Sequence, residues 1–307
     1  MAGAKGGMVN GQGSMGNESS GPSTIDHRPS SMRTLTTTGR FATYLGLIAF
    51  SAVFFFPFLW LVSTSVKPDA QIMVMPPRWI PNPFEWSNYS KGLTFVPFLT
   101  FLKNTLIICT ANVLGVLISC PLVAYGLSVI NWKGRDILFI IILSTMMLPF
   151  QVVMVPLFSI YTWLRWIDTF LPLTVPAFLG NAFFIFLLRQ FFMTIPKDLI
   201  DAAKIDGCTE FQTYRRIVLP LSKPVLATVA LFAFMGSWND FLGPLIFLFD
   251  QSKYTLSLGL AMFSSQYGSY WGMLMAVSTV VTVPIIILFF FTQRTFIQGI
   301  TLTGIKG

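Results

Sequence analysis

Ile195-Pro-Lys-Asp-Leu-Ile-Asp-Ala-Ala-Lys-Ile-Asp-Gly-Cys-Thr-Glu-Phe-Gln-Thr-Tyr-Arg-Arg-Ile-Val-Leu-Pro-Leu-Ser-Lys-Pro224 is a polar stretch set between apolar runs. Its residues code for two short helices around a sharp turn. Pro196 suits a first helical position, and Asp198 complements the positive end of the helix that follows. Leu199, Ile200 and Ala203 fall on one face at helical spacing. Gly207 supplies a stop that tolerates positive φ. Thr209 and Gln212 make a capping-box pair for the second helix, which Pro220 closes.

Outward from this loop the chain is organised by charge-free runs. Phe41 to Val66, Asn104 to Trp132, Ile137 to Leu164 and Thr169 to Leu188 carry no charge. Pro224 to Phe249 carries only Asp240, and Tyr254 to Gln293 is again uncharged, densest in apolar residues from Trp271. Crossing about 30 Å of hydrocarbon takes about 20 residues of helix, and each run suffices. Continuous apolar runs argue for helices, because barrel strands would alternate. The expectation is an all-α integral membrane protein with six transmembrane helices. Composition agrees: 54% of residues are hydrophobic and 10% charged, with a mean hydropathy of +0.69, whereas a soluble domain carries about 25% charged residues.

The net charge of +8 reads as topology and not as a nucleic-acid surface. With both termini cytoplasmic, the inner segments hold 14 of the 20 basic residues and the outer ones 6, as basic residues hold loops inside. Five of the fourteen, Lys197, Lys204, Arg215, Arg216 and Lys223, lie in the 195–224 loop, with Arg189 at its membrane edge. Residues 1–40, rich in Gly, Ser and Thr, read as a disordered cytoplasmic tail, and 41–307 as the membrane domain. The outer loop from Lys67 to about Leu99 is dense in Pro and Trp. It reads equally as an interfacial connector and as a docking surface. Pro57, Pro121, Pro149, Pro156, Pro176 and Pro284 fall within spans, where each tends to kink its helix.

Enzyme signals are nearly absent. The single histidine, His27, sits in the tail, and neither a His-Glu-x-x-His pattern nor a Gly-Lys phosphate loop occurs. Cys109, Cys120 and Cys208 have no paired spacing and read as small residues without a disulfide framework. No metal or cofactor is expected. The energy for any active work must therefore come from an ion gradient or from a separate ATPase. Asp240 is the one carboxylate inside a span. It sits either in a hydrated break made by Gly243-Pro244 or, with Trp238 and Asn239, at a pathway or interface position; one carboxylate is thin support for a proton relay. Asn112, Gln151 and Asn181 read as pathway lining or, more commonly, as hydrogen bonds between helices. The amphipathic helix of the polar loop must cover its apolar face. Asp198, Asp201, Asp206 and Glu210 would be repelled by anionic headgroups, so a groove on a partner protein fits better than lipid.

The spacing Asp201-Ala202-Ala203, three residues, Gly207, nine residues, Ile217, one residue, Leu219-Pro220 resembles the EAA loop of binding-protein-dependent ABC importer permeases. Asp201 stands where the family usually has Glu, a carboxylate on a shorter arm. Trp238-Asn239-Asp240-Phe241 with Pro244-Leu245 resembles the fifth-span signature of maltose-type carbohydrate importers. The ending Gln293-Arg-Thr-Phe-Ile-Gln-Gly299 and Gly304-Ile-Lys-Gly307 is similar to the tail of the second, maltose-G-like permease of such pairs. The likeness covers residues 40 to 307.

It implies the type I (MetI-like) importer permease fold in a prokaryotic cytoplasmic (inner) membrane. It also implies a heterodimer with a second permease, two ATP-binding subunits and an extracytoplasmic solute-binding protein that delivers a sugar. The helix at Asp201, Ala202, Ala203 and Gly207 would be the coupling helix, with Ile217, Leu219 and Pro220 completing the loop that docks to the ATPase. Arg215 and Arg216 would pair with the ATPase or serve as inside-positive anchors, and Lys306 and Gly307 would help coupling. The alternative is a self-sufficient channel or ion-coupled carrier.

Overall fold

The computed structural model describes residues 37–265 and 268–304. The chain forms two units, 1–54 and 55–307, and the described part of the first is the opening of helix α1. The expected tail lies outside the described residues up to residue 36. Helix α1 (Thr37–Ser65) is followed by α2 (Ser87–Phe95) and α3 (Phe98–Ser128). Next come α4 (Arg135–Ser144), α5 (Phe150–Trp163), α6 (Leu171–Thr174) and α7 (Ala182–Phe192). The polar loop holds α8 (Lys197–Ile205), α9 (Glu210–Thr213) and α10 (Leu219–Leu221). The chain ends with α11 (Lys223–Trp238), α12 (Leu242–Phe247), α13 (Leu256–Ala261) and α14 (Trp271–Gly304). A two-residue ribbon, Ser264–Ser265 against Gly268–Ser269, is the one β element among the described residues.

Four stretches are long and apolar enough to cross a membrane: Phe41–Ser65, Phe98–Ser128, Leu171–Phe192 and Trp271–Gln293. Two bent pairs bring the number to six when each counts as one span: α4 with α5, bent by 97°, and Glu210–Leu221 with α11, bent by 78°. The second span starts at Phe98, ahead of the expected Asn104. Lys103 stands inside it because its side chain lies on the exposed face, where a long stem carries the ammonium away from the apolar surface.

Proline does not interrupt the helix at four of the six positions. Pro57, Pro121, Pro156 and Pro284 remain inside unbroken helices. Pro149 does break its span: the residue before a proline is pushed out of the α region, and Leu148 is extended with ψ 113°. Pro176 lies in a 3-10 stretch, Val175–Leu179, within the fourth span. That span is interrupted again at Gly180 and Asn181 before α7 begins.

Helix α3 is the hub, packing against α7, the 3-10 stretch and α11, while α14 packs on α11 and α2. Close approach to the 3-10 stretch needs Gly115, since a Cβ there would lie 3.0 Å from Ala177. Small residues at such crossings are how membrane helices pack without a hydrophobic drive between them. Two cores result. One joins the polar loop to the spans through Tyr125, Leu188, Phe192, Ile200, Tyr214 and Val218. The other gathers Val96, Phe101, Cys109, Trp238, Leu256, Phe263 and Val277. All three cysteines are free, with Cys109 and Cys120 buried.

Candidate functional site

The polar loop is ordered by its own sequence. Pro196 is the N-cap of α8, one position ahead of its expected place, and Asp198 lies in the first turn. At the far end Gly207 takes φ +78°. Its N–H donates to the Lys204 carbonyl, and the Cys208 N–H donates to the Ala203 carbonyl. This pair of bonds is the Schellman stop that glycine favours. The next turn carries the full capping box. Gln212 N–H donates to Thr209 Oγ1, and Thr209 N–H donates to Gln212 Oε1 at 2.9 Å. Pro220 does not end the helix by itself. The chain runs through a π turn, Tyr214–Val218, and then α10, bending only around the buried Ser222.

Burial divides α8 into two faces. Ile200 and Ala203 are buried against the bundle, while the expected third member, Leu199, is 44% exposed. The opposite face presents Asp198, Asp201, Ala202 and Ile205 to solvent, an i, i+3, i+4, i+7 stripe. Ile205 is 86% exposed and Phe211, just beyond the turn, 63%. No ion pair holds Asp201, Arg215 or Arg216 among the described residues, and both arginines are exposed. Ile217 and Leu219 are half-buried and Pro220 exposed.

Two contacts of Tyr125 hold the loop to the end of α3. Tyr125 donates its hydroxyl to Glu210 Oε2 at 2.7 Å, and Lys204 Nζ lies 3.1 Å from Glu210 Oε1. These partners, the tyrosine first, hold the Glu210 carboxyl below its ordinary range. The Tyr214 ring meets Tyr125 edge-on at 5.3 Å. Beside them Arg189 donates to the Leu127 carbonyl and pairs with Asp136 at 2.7 Å, so the cation expected at the membrane edge also caps α3.

The Trp238-Asn239-Asp240 group builds the break in the fifth span. That break falls at Asn239–Phe241, before Gly243-Pro244, which lie inside α12. Trp238 is 2% exposed in the second core, and its Nε1 has no partner among the described residues. Asn239 returns a bond to the Met235 carbonyl, and Asp240 accepts from the Gly243 N–H at 3.1 Å, starting α12. Asn112 donates to the carbonyls of Ile108 and Leu173, and Asn181 caps α7 by accepting from Phe183 and Phe184 N–H. Gln151 is exposed. Lys306 and Gly307 lie outside the described residues.

Sequence reasoning missed one polar clamp at the other end of the bundle. Asp168 takes φ +59°, accepts from the Phe249 and Asp250 N–H groups, and meets Lys253 Nζ at 2.6 Å. The Asp250 amide first, then Lys253, hold its carboxyl down to about 2. An acidic residue in a short inter-span loop was its only signal. No group of three or more metal-ligating side chains occurs among the described residues.

A six-span all-helical bundle with an ordered two-helix polar loop is the architecture of an importer permease. Residues 111–301 match the family described as binding-protein-dependent transport system inner membrane component, and the chain belongs to that family. It is 37% identical over 263 residues to the arabinooligosaccharides transport system permease protein AraQ of Halalkalibacterium halodurans, covering 85% of this chain and 93% of that one. It is 31% identical to the trehalose/maltose transport system permease protein MalG of Thermococcus litoralis, covering 87% and 97%. Its fold also superposes, with a TM-score of 0.72 at 24% identity, on a chain from the crystal structure of a bacterial ABC transporter involved in import of the acidic polysaccharide alginate. That match covers 85% of this chain and 98% of the other.

Proposed function

We propose that this chain is one of two permease subunits of a carbohydrate importer, half of a pathway that ATP hydrolysis in separate subunits switches between inward- and outward-facing states. The relatives named for arabinooligosaccharide and for trehalose or maltose transport support a saccharide as cargo. In this reading α8 is the coupling helix. Its exposed stripe seats in a cleft of an ATP-binding subunit, with Ala202 allowing close approach, Ile205 filling an apolar pocket and Asp201 accepting bonds from ATPase donors. Ile217, Leu219 and Pro220 shape the loop's return to the membrane. Trp238, Asn239 and Asp240 set the break in the fifth span, and the tail at Lys306 and Gly307 adds to coupling. Both termini are cytoplasmic, a second permease completes the pathway, and an extracytoplasmic solute-binding protein delivers the sugar.

The observation that carries the reading is the outward stripe of α8: an apolar side chain 86% exposed on a helix that starts after Pro196 and is stopped at Gly207 by two backbone bonds. An ordered helix that leaves isoleucine in water is built to be covered. The test is affinity purification of the tagged chain from its native membrane. Wild type should bring down a second permease and an ATP-binding subunit, and Asp201→Arg and Gly207→Pro should lose the ATPase and saccharide uptake. A homo-oligomer that transports in liposomes without ATP would replace this reading with a self-sufficient carrier.

A further inference from the structure

We infer that this chain contributes a saccharide-contact site of its own: the cavity of about 390 Å3 where the interrupted fourth and fifth spans face α3. The inference rests on the reading of the cargo as a saccharide. The cavity is lined by Asn112, Gly180, Asn181, Phe184, Gly236 and Ser237, among others. Asn112 is midway along α3, so the cavity lies at mid-span height, open on the side where Asn181 and Gly236 are exposed. Its volume falls in the range of small-ligand sites, roughly 300–1,000 Å3.

Two features separate this place from ordinary helix packing. First, irregular backbone converges on it. The fourth span is interrupted at Gly180, with φ +97°, and Asn181, both on the cavity wall. The fifth span ends its helix at Trp238, one residue past Ser237. Non-helical backbone at membrane depth is tolerated where it is buried in protein or lines a cavity.

Second, polar capacity is left over after the structural bonds are made. Asn112 uses its amide N–H groups on two carbonyls, which leaves Oδ1 as an acceptor. Asn181 uses Oδ1 as the cap of α7, which leaves its amide N–H groups as donors. Among the described residues neither these atoms nor the Ser237 hydroxyl has a hydrogen-bond partner. Asn181 is exposed and Asn112 and Ser237 are half-buried, so these spare atoms are open to a molecule that enters the cavity.

The cavity wall therefore offers an acceptor, a donor and a hydroxyl, with the Phe184 ring beside them and no charged lining residue. An inorganic ion would find no counter-charge there. A neutral polyol suits it, because each hydroxyl both donates and accepts, and the C–H face of a sugar ring packs against an aromatic wall.

The experiment uses the complete importer in its native membrane. Deleting the gene for this chain selects the probe: whichever of radiolabelled arabinotriose, maltose and diacetylchitobiose the cells no longer take up. If none is lost, the saccharide reading fails and this site fails with it. With the probe in hand, Gly236→Leu fills the cavity. A Cβ at Gly236 meets nothing within 4 Å, so the helix accepts the side chain, and uptake should fall roughly tenfold or more because Gly236 lines the cavity and the leucine narrows it. Abundance and co-purification of partner subunits should stay as in wild type.

A second variant covers the case in which Gly236→Leu fails to accumulate. Ser237→Cys is placed in a Cys208→Ser background, where the remaining thiols are buried. The probe should slow N-ethylmaleimide labelling roughly fivefold or more at saturation. Normal uptake by an abundant Gly236→Leu importer, or labelling of a transporting Ser237→Cys importer that the probe does not slow, would overturn the inference.

Discussion

The two ends of α3 are finished in opposite ways. At its N-terminal end the connecting segments are stapled to one another. Asp168 holds two backbone N–H groups and Lys253, and Asn104 donates to the carbonyls of Ser252 and Tyr254. Nearby, Asn88 donates to those of Ser65 and Lys67. Even the Lys67 ammonium is enclosed, 3.8 Å above the Trp60 ring and 3.3 Å from the Thr64 hydroxyl. At the C-terminal end, by contrast, Tyr125 and Glu210 hold the polar loop from one side and leave the other side exposed. One end ties its connecting segments to one another; the other presents exposed carboxylates and an isoleucine. The difference locates where an outside partner has something to add.

The largest expected effect breaks the loop end alone. Ile205→Asp should leave the chain's abundance and thermal unfolding unchanged while ATPase co-purification falls by tenfold or more, since a buried apolar anchor contributes roughly 2 kcal/mol or more to an interface. Equal loss of abundance would make Ile205 a folding residue and erase the contrast.

Next in size is the clamp. Asp168→Ala removes three hydrogen bonds of a partly exposed carboxylate, and should lower thermal stability by about 1–3 kcal/mol with ATPase association intact. Asp168→Asn, which keeps the acceptor and tolerates positive φ, should lose less.

The same carboxylate sharpens the comparison through pH. Its folded-state value, about 2, lies below the ordinary 3.8. The stability it contributes is therefore fully present above about pH 4 and lost as pH falls through 2. Hydrogen exchange of the amides between 247 and 255, corrected for intrinsic rates, should rise over that window more in wild type than in Asp168→Asn, where only the Asp250 carboxylate, itself held low by Ser252, still titrates. Smallest of all, Tyr125→Phe should cost about 0.5–1.5 kcal/mol by deleting one hydrogen bond. Glu210→Gln should cost less than about 1 kcal/mol, because the pair with Lys204 is solvent-exposed. Thermal melts of both variants would rank them.

The parts of this molecule that local chemistry determines were legible in its sequence. The capping box at Thr209 and Gln212, the positive φ of Gly207 and the apolar spans all depend on residues a few positions apart. What was hidden depends on distant partners. Lys67 counted as an outer-loop cation because nothing in its neighbourhood says that Trp60 and the following loop will enclose it. Asp168 finds its amides some 80 residues away. The break at Leu148 falls where Pro149 was expected to act, but that at Asn239–Phe241 was placed too late, at Gly243-Pro244, because proline alone does not decide a break. Four prolines stay inside continuous helices, while Asn239 and Asp240 end one helix and begin another with side-chain bonds. Of the two roles read for Asn112 and Asn181, the structure displays hydrogen bonds to backbone, at Leu173 and at the start of α7; lining a pathway belongs to the proposal above.

The bend around Ser222 has a mechanical consequence. Two backbone bonds meet at the bend, Ser222 N–H donating to the Val218 carbonyl and Leu226 N–H to that of Ser222. The segment is thus a bell crank with its fulcrum at a fully buried serine. At 1.5 Å per residue its arms measure about 18 and 24 Å. Turned as one rigid piece, it multiplies a displacement at the loop by about 1.3 at the far end of α11, the end that carries Ser237 and the break beyond it.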